Sequence, residues 1–179
     1  FDWTKMPWLD KGGVYATACL RGGGEQGEQW HKDGMRLRKQ NVFNDFIAAG
    51  ETLIKEGITS PKNLGIGGGS NGGLLVAATE LQRPDLFGAA IPEVGVHDML
   101  RFANFTGGHH WIQEYGEVEK ANHFKNMMSY SPLHNVKDGV AYPPTMIMTG
   151  DHDDRVTPSH SYKLAAEMQS SGNENPVLL

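Results

Sequence analysis

The segment Leu64-Gly-Ile-Gly-Gly-Gly-Ser-Asn-Gly-Gly-Leu-Leu-Val76 constrains this chain more than any other. Leu64–Gly67 predicts a short strand and Gly72–Leu81 a helix, so Ser70 falls on the turn between them. A serine so placed must adopt a strained backbone for its hydroxyl to project from the end of the strand. Gly68 and Gly72, two before and two after it, are read as positions where a side chain would collide with the helix.

Gly68-Gly-Ser-Asn-Gly72 fits G-x-S-x-G between strand and helix, the setting of a nucleophile elbow. The N–H of Asn71, at the head of the helix, is then a candidate donor to the oxyanion of a tetrahedral intermediate. Gly67–Gly72 also matches the dinucleotide pattern G-x-G-x-x-G, which calls for an acid closing the next strand about 20 residues on. Asp85 instead precedes the strand predicted from Ala89, so the elbow is the better reading. A second match, Gly22–Gly27, runs into Trp30-His-Lys32 without opening a helix and reads as a loop.

The surrounding chain alternates strands and helices. Val14–Leu20 predicts a strand with Cys19 as a buried thiol. Val42–Lys55 predicts an amphipathic helix in which Phe43, Phe46, Ile47, Gly50 and Ile54 share a face. Strands are expected at Ala89–Pro92, Pro143–Gly150 and Asn175–Leu179, with a helix over Ser159–Ser171. This order predicts an α/β fold with a mostly parallel sheet and helices on both faces. The section from His97 to Asn135 interrupts the alternation, as an insertion over the carboxyl ends of the strands would.

Whole-chain properties narrow the classes. The 179 residues include 39% hydrophobic and 21% charged side chains, a globular composition that reads as a single domain. A formal charge of −5 with dispersed Lys and Arg gives no basic field for nucleic acid. No run approaches the roughly 18 apolar residues of a membrane span. One cysteine cannot form an internal disulfide, which fits a reducing, cytoplasmic setting. The start at Phe1, without a methionine, points to sequence upstream.

In a fold of this kind the acid of the triad follows a later strand and the histidine comes after it. Thr145–Gly150 runs into Asp151-His-Asp-Asp-Arg-Val156, a turn with three carboxylates, and position alone does not choose among them. Downstream of that turn stands one histidine, His160, at the start of a predicted helix. It reads as a surface or helix-capping residue, because the fold expects the catalytic histidine on a loop beyond a further strand. The adjacent His109 and His110 have no third ligand at a recognised spacing, so no metal site is assigned.

The chain resembles the prolyl oligopeptidase family of serine peptidases. The likeness rests on Arg21-Gly-Gly-Gly-Glu-Gln-Gly-Glu, Trp30-His-Lys, Thr59-Ser-Pro-Lys, Gly68-Gly-Ser-Asn-Gly-Gly-Leu-Leu-Val76, Arg83-Pro-Asp-Leu-Phe-Gly88, Tyr130-Ser-Pro-Leu-His-Asn135 and Asp151-His-Asp-Asp-Arg-Val156, in order along nearly the whole chain. It implies an α/β-hydrolase fold, incomplete at both ends, with residues 1–179 as part of the peptidase domain. It implies Ser70 as nucleophile and Asp153 as triad acid, with Asp151 and Asp154 in support. Arg155 would hydrogen-bond the peptide carbonyl on the N-terminal side of the substrate proline. Trp111 would stack on the proline ring, and Val96, Tyr115 and Val156 would lie near its pocket. Three family parts are expected outside this sequence: a β-propeller domain, a tyrosine that completes the oxyanion hole, and the triad histidine beyond Leu179.

The function so implied is hydrolysis of short peptides on the C-terminal side of proline, through an acyl-enzyme and without metal or organic cofactor. The partners implied are short proline-containing peptides and the parent chain's own propeller. The 179-residue chain alone is expected to be inactive for want of its histidine. The competing readings are an esterase or aminopeptidase-type relative on the same fold, and a non-catalytic peptide-binding module.

Overall fold

A computed structural model describes residues 3–179. Its centre is a four-stranded parallel sheet of β1 (Gly65–Gly69), β2 (Ala89–Glu93), β3 (Thr145–Met146) and β4 (Val177–Leu178), in that spatial order. The register sets Gly65 beside Ala89 and Gly69 beside Glu93, and Thr145 beside Val177. The strand expected over Pro143–Gly150 is regular only at its centre, and a parallel bridge from Glu93 to Met148 prolongs the pairing.

Three long helices support the sheet: α3 (Gln40–Lys55), α4 (Asn71–Gln82) and α8 (Ser159–Ser170). They match the predicted helices to within two residues. Five shorter ones complete the described helices, two before α3 and three between α4 and α8: α1 (Met6–Asp10), α2 (Glu28–Lys32), α5 (Ile112–Tyr115), α6 (Ala121–Tyr130) and α7 (Pro132–Asn135). α5 to α7, with two 3₁₀ turns, fill the predicted insertion.

The long helices share one face of the sheet. Phe46 and Ile47 of α3 meet Val76 of α4 over Ile66 and Ala90. Leu164, Ala165 and Met168 of α8 meet Ala77 and Leu81 of α4 over Ile147 and Val177. The strand side chains alternate accordingly: Thr145 and Ile147 are buried, while Met146, Met148 and Leu178 are exposed on the opposite face. The second helical layer expected for that face is therefore not among the described residues. Right-handed crossovers between parallel strands whose order never reverses deliver every connecting helix to the same side.

Val14–Leu20 is not a strand. No ladder forms there, and Val14, Tyr15 and Cys19 are exposed, so the expected buried thiol is also overturned. β-rich composition makes a strand only where a neighbour supplies hydrogen bonds, and none of the described strands lies beside this segment. The glycine loop at 22–27 is a loop as expected, with Gly22 and Gly27 at φ 95° and 90°, but the short helix α2 follows it.

Packing at the head of α4 shows which glycines the elbow requires. A Cβ on Gly68 would stand 2.9 Å from the Gly72 carbonyl oxygen, in agreement with the sequence reading. A Cβ on Gly72 would meet nothing within 4 Å, so that half of the expectation fails. The tighter position is Gly73, where a Cβ would lie 2.4 Å from the Glu93 carbonyl oxygen and 2.7 Å from the Gly95 Cα. Both are backbone atoms and neither can step aside. Gly73→Ala is expected to destabilise the protein by about 1–3 kcal/mol or more, and Gly72→Ala by less than about 1 kcal/mol, read as midpoints of chemical unfolding.

Glu80 is a second point of tension. It is fully buried in the apolar stretch of α4, and burial pushes its carboxyl up to about 8 despite the hydrogen bond to Thr145. The Thr145 hydroxyl lies 2.8 Å from Glu80 Oε2 and 2.9 Å from the Pro143 carbonyl. With a single proton it can donate to one of them only. Both contacts are satisfied when a protonated Glu80 donates to Thr145 and Thr145 donates to Pro143.

Unfolded, Glu80 releases its proton above about 4.5; folded, it holds the proton to about 8, so its contribution to stability falls as pH rises between the two. The unfolding free energy of Glu80→Gln relative to the parent protein, read from thermal unfolding, is expected to climb from pH 5 to about pH 8 and then level, a total on the order of a few kcal/mol. A difference that stays flat with pH would show that the carboxyl is ionised in the fold.

Candidate active site

Ser70 sits where β1 ends and α4 begins, at φ 58° and ψ −117°, a left-handed backbone that a side chain rarely adopts. The strain is held from both sides. The Ser70 N–H donates to the Glu93 carbonyl of the neighbouring strand at 2.9 Å, and its own carbonyl accepts from Gly73 at 2.9 Å and Leu74 at 3.2 Å. Asn71 is the first residue of α4, so its N–H has no acceptor four residues back and lies beside the serine.

The Asp151–Val156 turn follows β3, so it shares with Ser70 the carboxyl end of the parallel sheet. Its three acids are not equivalent. Oδ1 of the half-buried Asp153 accepts from the backbone N–H groups of Arg155 and Val156, both at 2.9 Å. That fixes the carboxylate and leaves Oδ2 for another donor, the arrangement that orienting an imidazole requires. Asp151 is exposed and paired with the equally exposed His152 at 2.8 Å, and Asp154 is exposed.

Trp111 and Arg155 flank Gly107. A Cβ at Gly107 would lie 3.0 Å from the Arg155 carbonyl oxygen and 3.6 Å from Trp111 Cζ2, while Thr106 Oγ1 donates to the same carbonyl at 3.3 Å. The Arg155 side chain is exposed and Trp111 is half-buried. Trp111 packs against one cluster that contains Val96, Tyr115 and Val156, all nearly inaccessible, beside Phe102 and Leu74. The three residues expected near a proline pocket thus form the wall behind Trp111. Tyr115 also reaches the elbow, its hydroxyl donating to Asn71 Oδ1 at 3.0 Å.

His160 is neither a surface nor a capping residue, contrary to the sequence reading. It is 1% exposed, its Nδ1 accepts from the Asp98 N–H at 3.0 Å, and its ring meets Phe105 edge-on. Burial lowers its pKa to about 4, and burial lowers that of the neighbouring His97 to about 3. Both imidazoles are neutral at physiological pH. α8 places His160 inside because the helix packs its first turn against the insertion. His109 and His110 have rings 3.8 Å apart and are exposed; among the described residues no three His, Cys, Asp or Glu gather to hold a metal ion.

Two buried charges escaped the sequence reading. The side chain of Asp98 is inaccessible; burial raises its pKa, but Lys163 at 2.7 Å, with His134 and Arg101, outweighs that and holds it below the usual range. Lys39 is buried beneath Asn71 and bonded to Glu114. Neither belongs to a motif, and only a lysine opening an apolar helix face hinted at the second.

The model of the prolyl oligopeptidase family matches residues 1–179. A prolyl endopeptidase of Elizabethkingia meningoseptica is 52% identical over 174 residues, which are 96% of this chain and 25% of that protein. Among solved structures, a post-proline cleaving enzyme from Rickettsia typhi superposes with a TM-score of 0.94 at 41% identity, covering 98% of this chain and 26% of that one. Prolyl oligopeptidase B from Galerina marginata, bound to a 35mer hydrolysis and macrocyclization substrate, gives 0.92 at 43%, covering 96% and 24%. This chain therefore spans about a quarter of the length of these relatives. With an α/β-hydrolase sheet, a strained serine at its carboxyl end and a family match along its whole length, the chain belongs to the prolyl oligopeptidase family.

Proposed function

We propose that the complete protein is a serine-type endopeptidase that cleaves short peptides after proline, with residues 1–179 as part of its catalytic domain. The observation that carries this reading is Ser70 at φ 58°, held on the turn by Glu93 and Gly73. Strain of this kind persists where the surroundings impose it, and here it lifts one hydroxyl out of the sheet.

In this mechanism Ser70 Oγ attacks the carbonyl of the proline residue as a histidine base takes its proton. The new oxyanion accepts from the Asn71 N–H. The imidazolium, oriented by Asp153, returns the proton to the leaving amine, and water then hydrolyses the acyl-enzyme by the same steps in reverse roles. Arg155 holds the carbonyl on the N-terminal side of the proline, and Trp111 stacks on its ring, backed by Val96, Tyr115 and Val156. A propeller domain of the same polypeptide restricts entry to short peptides. The histidine base lies outside residues 1–179, since His160 is committed to Asp98 within the core.

Hydrolysis of a blocked Gly-Pro amide by the complete protein tests this reading. Ser70→Ala is expected to lower kcat on the order of 10⁶-fold, and Asp153→Asn about 10⁴-fold. Asp151→Asn, in an exposed pair, should stay within about threefold. The 179-residue chain alone should show no turnover. Equal losses at Asp151 and Asp153 would remove the basis for choosing between them, and faster cleavage of an alanine-linked amide would transfer the protein to an aminopeptidase-type specificity.

A further inference from the structure

Beneath the head of α4 lies a buried polar cluster centred on Lys39, a residue to which the proposed reaction gives no role. Lys39 precedes α3 and is 1% exposed. Its ammonium donates to Asn71 Oδ1 at 3.0 Å and to Glu114 Oε1 at 3.0 Å, and it lies 5.2 Å from the centre of the Tyr115 ring. Tyr115 OH donates to the same Asn71 Oδ1 at 3.0 Å. Both lone pairs of that amide oxygen are thus taken by donors from separate parts of the chain.

The anchors are fixed in turn. Glu114 and Tyr115 end α5, and α5 is tied to the residues before Lys39 by a bond from Arg36 Nε to the Gln113 carbonyl at 2.9 Å. His31 Nε2 stands 3.5 Å from the other oxygen of Glu114. Burial lowers the pKa of Lys39, and Glu114 opposes that shift by favouring the charged form. A cavity of about 200 Å³ opens beside the cluster, between the Ala18–Glu25 loop and α4, and both Lys39 and Asn71 line it. Asn71 itself is exposed there, and among the described residues the side-chain hydrogen bonds it makes are those with these two donors.

We propose that Lys39 is a positioning residue for the oxyanion donor: Lys39, set by Glu114 and joined by Tyr115, clamps the Asn71 side chain and so fixes the direction of the Asn71 N–H. The peptide plane that carries this N–H is held at its other end by the Ser70 carbonyl, which accepts from Gly73 and Leu74, and the Asn71 side chain is a second handle on a turn whose backbone is strained. Burying a lysine is costly unless it is partnered, and its partners here are Glu114 and the residue that follows the nucleophile. Donors preorganised in this way stabilise charge that develops in the transition state, so their loss falls on kcat. This inference rests on the reading of Ser70 as nucleophile.

The test is a double-mutant cycle in the complete protein on a blocked Gly-Pro amide, with Lys39→Met and Asn71→Ala, and Glu114→Gln in parallel. Lys39→Met is expected to lower kcat roughly 10- to 100-fold with KM changed less than about threefold. The double variant should be no slower than the slower single variant, because both substitutions break the same link. A purely structural lysine would give losses that multiply, or a lowered thermal midpoint with kcat intact, and either would overturn the inference. Activity that depends on Ser70 but is indifferent to Lys39→Met would overturn the inference alone. Activity that survives Ser70→Ala would overturn the assignment of the nucleophile and the inference with it.

Discussion

The close approach of α4 to the end of β2 is the constraint on which the rest of this structure depends. Gly73 rests against the Glu93 carbonyl and the Gly95 backbone, and the same Glu93 carbonyl accepts the Ser70 N–H. The helix can come no closer, and with any side chain at residue 73 it would have to stand away. That contact limits how near the helix stands to the sheet, and Ser70, on the turn directly before it, has a left-handed backbone. The residue after Glu93, Val94, is also left-handed at φ 40°, an unusual conformation for a β-branched side chain, and its N–H is held by the Met148 carbonyl at 2.7 Å. Strain on adjacent strands is thus spread across β1, β2 and β3 by backbone hydrogen bonds.

From that junction the candidate site grows by parallel chain direction. Every strand ends on the same side, so Ser70 after β1 and Asp153 after β3 emerge together although they are far apart in sequence. The insertion between β2 and β3 then lies against both. Tyr115 reaches Asn71, and Thr106 and Gly107 reach Arg155. One layer of aromatic and aliphatic packing therefore supports the nucleophile turn and the acid turn at once. The neutral His160 imidazole and the ion pair of buried Asp98 with half-buried Lys163 hold the insertion to α8. Buried polar groups of this kind are costly unless partnered and fix one arrangement when they are.

Much of this was legible in the residues. α3 is closely predicted because an amphipathic helix carries its burial pattern in a local period, and α4 and α8 match their predicted spans. β1 and β2 are similarly plain. Val14–Leu20 misled because strand character is a property of a pair, and composition records only one member. The one-sided placement of helices was illegible for a related reason: it follows from strand order, which no local pattern states. Gly72 and Gly73 are adjacent identical residues, and only the path of β2 makes one indispensable and the other free.

The sequence by itself determined the three long helices, the strands on either side of α4, the serine turn and the family to which the chain belongs, since a strand, a glycine-bounded serine and a helix are written in consecutive residues. Tertiary structure alone decided which of three acids is held by two backbone N–H groups, that His160 is a core residue, and that Lys39 lies under Asn71. The physical reason is the range of the interactions. Turn chemistry and helical periodicity act over a few residues, whereas the burial of a charge or an imidazole is fixed by segments that meet only when the sheet has assembled.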